Sequence, residues 1–486
     1  STSADPTPVE ADPRRWKALV VIAIAQLMIV LDASIVNMAL PSIQADLGIS
    51  DADRQWAVTA YTLAFGSLLL LGGRIADYAG RKRVFIIGLT GFALASALGG
   101  LATTSTMLFA SRGLQGVFAA LLAPAALSLI SVTFTDSKER AKAFGVYGAL
   151  SGGGAAIGLV LGGVLTEYFS WHWCFLVNVP IAVLAIFLAI PNVRESRATG
   201  NTKYDVPGAI TATVGLFCLV FGITKAESDG WNGTSTVTFL AISVVLLFVF
   251  LFIEYKSTHP LLPLKIVLER NRGGAYLSSF FVGVGLFSMF LFISYFFQAV
   301  LQYSPLTSGL LFLPFSAGVV ISAGIASQLL PRFGPRWVTF TGFVMAVIGM
   351  SLYIRLTPES TYVSGILPSI ILMSLGMGLI FVPLSATALY GVGDHDAGVA
   401  SAVLNTAQQI GGSIGVAFLN TIAASATAAF VVANNLQQPN ADALVEGFTT
   451  TFMWSTAILA FAGLVWVVLV RISKKDLSKN DVAAQF

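Results

Sequence analysis

Residues 18–40 read ALVVIAIAQLMIVLDASIVNMAL, an apolar run with one acid, Asp32, set inside it. A helix needs roughly 20 apolar residues to cross the hydrocarbon core of a bilayer, so this run is long enough to span. A carboxylate at that depth costs about 3 kcal/mol on insertion scales. A chain keeps such a group where something pairs it, protonates it or binds it. This stretch therefore sets the fold class, an all-helical membrane protein, and poses the functional question: what Asp32 does.

The rest of the chain agrees with a membrane class. Of 486 residues, 56% are hydrophobic and only 10% charged, against about 25% charged in soluble domains. Fourteen apolar runs of spanning length follow one another, at 18–40, 56–73, 84–103, 107–134, 143–166, 172–191 and 207–224, then 237–253, 274–298, 307–330, 337–354, 362–390, 398–425 and 450–470. Cytoplasmic loops carry the excess of Lys and Arg. With the N-terminus placed inside, 23 of the 27 basic residues fall in inner segments, and only Arg54, Lys225 and Arg355 in outer ones. The last, Arg112, lies within span four. Both termini are thus expected in the cytoplasm and the protein in the plasma (inner) membrane. Ser1–Pro13 is polar and acidic, unlike a cleaved signal peptide. Cys174 and Cys218 sit in apolar runs without redox or metal spacing and read as packing residues.

An internal repeat orders the fourteen spans. GRIADYAGRKRV at 73–84 follows span two, and SQLLPRFGPRWV at 327–338 follows span ten. Aligning Gly80 with Gly334 places Val84 on Val338, with Pro331 where the first copy has Asp77. Matching loops eight spans apart imply two six-helix bundles with two extra helices between them. The expected division is a tail at 1–17, an N-terminal bundle at 18–192, a linker with two extra helices at 193–272, a C-terminal bundle at 273–472 and a tail at 473–486. Two such halves around a midplane site are a known transporter plan.

These features carry a resemblance. The chain resembles the major facilitator superfamily, and within it the fourteen-span drug:proton antiporter branch, from Trp16 to about Ile472. Its carriers are LDASIVNMALP at 31–41, the loop Gly73–Arg83, RGLQG at 112–116, the glycine run Gly152–Gly163 and WHWCFLVNVP at 171–180. The resemblance implies the major facilitator fold, with an acid in span one and a basic residue in span four linked to coupling. Leu159 departs from the branch, whose span-five pattern has proline after the central glycine.

Four constellations follow from the residues. Asp32 and Arg112 come from spans of opposite direction and lie at similar depth, so they can pair. A guanidinium favours the ionised carboxyl and burial the neutral one; a conformational change that alters either would load or release a proton. A fixed structural ion pair is the alternative. Gln115 and Gly116 complete the span-four motif. In the second constellation, Gly73, Asp77, Gly80, Arg81 and Lys82 form an inner-gate motif. Gly73 permits close helix approach and Gly80 a tight turn, and Asp77 pairs with Arg81 or holds the N-terminal end of a helix in the opposite half. Third, Gly154, Gly158 and Gly162 share one helix face. With Gly163 they form an antiporter-type glycine motif, for which helix packing alone is also sufficient. Fourth, Met28, Tyr61, Tyr295, Gln298, Asn405 and Gln408 are candidates for a substrate cavity. Polar amides on a span face look inward rather than at lipid.

The expected function is proton-coupled export of hydrophobic or amphipathic small molecules by alternating access. A dedicated exporter of one endogenous lipid, antibiotic or siderophore is the alternative. A non-transporting scaffold or sensor is more distant, because the loops are short and no signalling domain is visible. The single intramembrane acid favours neutral or monocationic substrates over dications. No nucleotide-binding loop, catalytic constellation or metal cluster is present; His172, His259 and His395 are scattered. An enzyme is therefore not expected, nor any cofactor beyond the proton gradient. The expected partners are small lipophilic substrates, protons and membrane lipids, with no nucleic acid and a functional monomer. Thr427–Phe448 reads as the longest external loop.

Overall fold

The computed structural model describes residues 10–49, 53 and 56–477. Parts of both expected tails, together with Arg54 and Lys479 from the charge count, lie outside the described residues. Among the described residues there is no strand, and fourteen helices are long and apolar enough to cross a membrane. Spans one to seven are Arg15–Leu47, Trp56–Ala79, Arg81–Gly100, Ser105–Thr133, Ser137–Tyr168, Trp173–Asn192 and Val206–Ala226. Spans eight to fourteen are Thr234–Lys256, Arg270–Val300, Pro305–Phe333, Pro335–Arg355, Tyr362–Ala388, Ala397–Ala433 and Ala441–Leu469.

Several helices outrun their apolar cores. Span one continues through Pro41 to Leu47, because its last turns carry helix formers and end at Gly48 in the left-handed conformation. Span thirteen runs to Ala433 and span fourteen starts at Ala441. The supposed long loop Thr427–Phe448 is therefore mostly helix, with a turn of residues 434–440. Its alanines and valines extend span thirteen, and Asn440 caps span fourteen by accepting from the Ala443 N–H at 2.9 Å.

Packing repeats itself along the chain. Span one packs on five, two on four and three on four; nine packs on thirteen, ten on twelve and eleven on twelve. The backbone repeats as well. Gly80 (φ 111°) and Gly334 (φ 77°) each begin the helix after the repeated loop, in a region that disfavours side chains. Spans two and thirteen meet across the middle of the molecule, as do five and ten. Span seven packs against two and thirteen, and span eight lies outermost, against seven. Val245, Phe248 and Phe252 on span eight are more than half exposed. An apolar surface of this extent suits lipid, not water.

Candidate functional site

Asp32 lies at the centre of a fully buried polar cluster. Its Oδ2 accepts from Arg112 Nη1 at 2.8 Å. Its Oδ1 accepts from Asn178 Nδ2 at 3.0 Å and Gln115 Nε2 at 3.3 Å. Each donor has its own support. Arg112 also donates through Nε to the Ala57 carbonyl at 2.8 Å and through Nη1 to Gln115 Oε1 at 3.0 Å. Its guanidinium sits 4.6 Å from the Tyr61 ring centroid and 5.8 Å from that of Phe175. Asn178 donates to Ser96 Oγ at 3.0 Å, and Ser96 donates to the Phe175 carbonyl at 2.6 Å.

Helix geometry places these groups. Arg112 and Gln115 are three residues apart on span four, hence on one face. Gly116 faces span two, where a Cβ would lie 2.5 Å from the Tyr61 carbonyl. That close approach brings Tyr61 over Arg112. Span six is interrupted at Val177, one residue before Asn178. Five spans thus converge on one carboxylate, and its chemistry is proton chemistry or charge pairing. Asn178 carries a testable weight. A hydrogen bond to a charged buried group contributes about 1.5–3 kcal/mol, so Asn178→Leu should lower the melting temperature in detergent by several degrees. Asn178→Asp would instead set two acids against one guanidinium and should be worse.

A second cluster lies at the end of the molecule that bears the basic loops. Asp77, also fully buried, accepts from the backbone N–H of Gly398 at 2.7 Å and Val399 at 3.0 Å. These are orphan donors at the N-terminus of span thirteen, where a negative charge is favoured. Arg81 Nη2 donates to Asp77 Oδ1 at 2.6 Å and to the Asp394 carbonyl. Arg74 Nη1 donates to Asp396 Oδ1 and to the His395 carbonyl, each at 2.9 Å. Asp396 lies outside the spans. Burial raises its carboxyl, but the His395 hydrogen bond and the Arg74 charge outweigh that and hold it below its usual range. Gly73 and Gly398 touch backbone to backbone: a Cβ on Gly73 would lie 2.5 Å from the Gly398 oxygen. These contacts tie span two to the start of span thirteen.

Lys82 is turned away from these contacts; its Nζ donates to the Ile190 carbonyl at 2.7 Å. Glu195 caps span three by accepting from the backbone N–H groups of Lys82 and Arg83, each at 3.0 Å. The glycine motif faces two ways. Gly154, Gly158 and Gly162 lie against Val30, Leu31, Ser34 and Ile35 of span one, and Gly163 against Leu306 of span ten. In the repeat mate, Gly411 and Gly415 pack on span nine.

The six cavity candidates are not gathered in one place. Met28 is packed within the core, and Tyr61 belongs to the Asp32 cluster. Tyr295 and Gln298 are exposed, Tyr295 as the last α-helical residue of span nine and Gln298 in the π-turn that follows. Asn405 reaches Tyr147 of span five while its buried Nδ2 has no partner among the described residues, and Gln408 is half-buried. Two cavities, of ≈ 420 Å³ and ≈ 590 Å³, lie at the basic end and include none of the six. Sequence reading also missed Asn178, Ser96, Arg74 and Asp396. The signal for Asn178 was an amide within an apolar run.

With this geometry in hand, relatives are informative. The description Major Facilitator Superfamily matches residues 22–416. The puromycin resistance protein pur8 of Streptomyces alboniger is 48% identical over 94% of this chain and 92% of its own. The cephamycin export protein CmcT of Amycolatopsis lactamdurans is 38% identical over 84% of this chain and 85% of its own. Among solved structures, the human organic anion transporter MFSD10 matches with a TM-score of 0.66, covering 93% of this chain and 100% of that one. At 15% identity that likeness is one of fold.

Proposed function

The chain belongs to the major facilitator superfamily, as a membrane transport protein and not an enzyme, and on that premise we propose that it exports small lipophilic molecules in exchange for protons. The observation that carries the reading is the buried carboxylate of Asp32, held by Arg112, Asn178 and Gln115 in a chain kindred to export and resistance proteins. A buried pair of this kind sits near balance. Desolvation opposes its charges and mutual attraction favours them. Separating Asp32 from Arg112 would leave a carboxylate without its counter-charge, which favours protonation.

In this reading the bundles 18–192 and 273–472 rock about the midplane as two units, with 193–272 linking them. The latch of Asp77, Arg81 and Arg74 on span thirteen closes the cytoplasmic side. Protonation of Asp32 from outside and its release inside would drive the cycle. Both termini then lie in the cytoplasm, the protein sits in the plasma membrane, and it works as a monomer without a cofactor. The named relatives favour substrates of antibiotic type.

Proteoliposomes with an imposed pH gradient and a panel of lipophilic neutral and monocationic compounds test this. Gradient-dependent movement of at least one compound is expected, and its loss on adding an uncoupler. Movement that ignores the gradient overturns the coupling. A panel in which one native metabolite alone is moved identifies a dedicated exporter; unrelated dyes also moved identify a broad one.

A further inference from the structure

The linker between the two halves brings two acids together. Asp205 caps span seven by accepting from the Gly208 N–H at 3.0 Å. Glu254 lies near the end of span eight, and its carboxyl meets that of Asp205. Both residues are more than nine-tenths buried. A Cβ on Gly208 would lie 2.1 Å from Asp205 Oδ2 and 2.3 Å from Glu254 Oε1, so these two oxygens converge on one spot. Glu254 Oε1 is buried and has no donor among the described residues. Two carboxylate oxygens in contact with no donor between them repel unless a proton is shared.

The same acids hold a segment that reaches the latch. Asp205 Oδ2 accepts from the Leu261 N–H at 3.3 Å, and Glu254 Oε2 from the Leu262 N–H at 2.8 Å. On the other side of that segment, Arg74 Nε donates to the Leu261 carbonyl at 2.8 Å. The N–H groups of Leu261 and Leu262 are thus held by Asp205 and Glu254 respectively, and the Leu261 carbonyl by the arginine that ties span two to Asp396.

We propose that Asp205 and Glu254 bind one proton between them, and that this proton braces Pro260–Leu262 against Arg74 and keeps the inner gate shut. The inference rests on the latch reading of Arg74 and Asp77, not on the role of Asp32. The charged and titratable groups facing the pair are Arg74 from span two and His259 from the segment itself. His395, Asp396, Lys265, Tyr78 and Tyr255 line, with Glu254, the ≈ 420 Å³ cavity beside it. The proton enters from water through that cavity and leaves to water by the same route. Asp205 is the ionised partner: burial raises it, but the hydrogen bonds from Glu254, Gly208 and Leu261 outweigh that and hold it below the usual carboxylate range. Losing the proton puts two negative charges side by side; the carboxylates move apart, their paired hold on the Leu261 and Leu262 N–H groups is broken, and Arg74 is freed. The sign follows: the closed state binds the proton and the open state does not, so raising the inner pH opens the gate.

The test uses the full chain in lipid nanodiscs with spin labels at Arg83→Cys and Phe333→Cys, two exposed positions at the inner ends of spans three and ten. Cys174 and Cys218 are buried and need no replacement. Pulsed spin-resonance distances are followed from about pH 6 to about pH 9. The open-to-closed ratio should rise by about tenfold per pH unit in the titrating range, as for one proton bound in one state. Glu254→Gln keeps a permanent donor and should stay closed throughout. Asp205→Asn still caps the helix and should also lose the response. In an Asp32→Asn background the response should persist even if transport is lost. A distance that ignores pH in the wild type overturns the proposal, as does a wild-type response in Glu254→Gln. A response lost in Asp32→Asn but kept in Glu254→Gln assigns the titration to Asp32 and also overturns it.

Discussion

Replacing Asp32 by Asn should reduce gradient-driven export to the level of leak, a loss of at least about 100-fold, while the protein still reaches the membrane. The amide keeps the shape and an acceptor for Asn178 and Arg112, but it carries no proton through the cycle. The substitution also has a structural cost. Arg112 is fully buried, and its charge would lose the partner at 2.8 Å. Removing one member of a buried pair costs about 3–5 kcal/mol, so a lower melting temperature is expected as well. A second variant separates the two effects. Asp32→Asn combined with Arg112→Gln removes both charges and should recover much of the stability, but none of the gradient-driven transport. Recovery of transport in the double variant would reduce Asp32 to a structural partner of Arg112.

Gly73→Val should hold the inner gate open. A Cβ at Gly73 would lie 2.5 Å from the Gly398 carbonyl oxygen and 2.7 Å from Ala402 Cβ. The first obstacle is backbone and cannot swing aside. Overpacking of this kind costs about 1–3 kcal/mol, which lowers the closed-to-open ratio by about 5- to 150-fold. The clash exists only while spans two and thirteen are in contact, so the open state is spared. Export should fall by a similar factor, while substrate binding from the inner side is retained. Accessibility of a cysteine at the inner ends to a membrane-impermeant thiol reagent reads the gate directly. Gly398→Val attacks the same crossing from the other side, with its Cβ 2.4 Å from the Gly73 oxygen, and should act alike. Unchanged accessibility in both variants would show that this crossing does not gate.

The parts of this molecule that could be read from sequence are those where a residue contradicts its surroundings. An acid in an apolar run, a lone arginine in span four and a basic loop repeated eight spans later each have few physical explanations. For Asp77 the loop motif left two partners open, Arg81 and the N-terminal end of a helix from the other half, and its carboxylate touches both. Uncharged polar residues were harder to read. Ser96 costs little in an apolar helix and gave no reason to single it out, and the amide of Asn178 within its apolar run was passed over, although both complete the Asp32 cluster. Arg74 was read as one more inner-side charge, because nothing local shows that residues 260 and 261 fold back onto it. Asp205 and Glu254 are 49 residues apart in the numbering and each sits at a span end, where acids are ordinary. Only the packing of span seven on span eight brings them together. Tyr295 and Gln298 were judged by their type, and both are exposed where span nine ends.

The central claim is that Asp32 exchanges its proton as substrate crosses in the other direction. Proteoliposomes without any imposed gradient, loaded with a pH-sensitive dye, test it most directly when substrate is added on one side. The account predicts that substrate flowing down its own gradient drives protons the opposite way, and that Asp32→Asn abolishes this proton movement. Substrate flux with no change in dye signal, or an equal signal in Asp32→Asn, would contradict it.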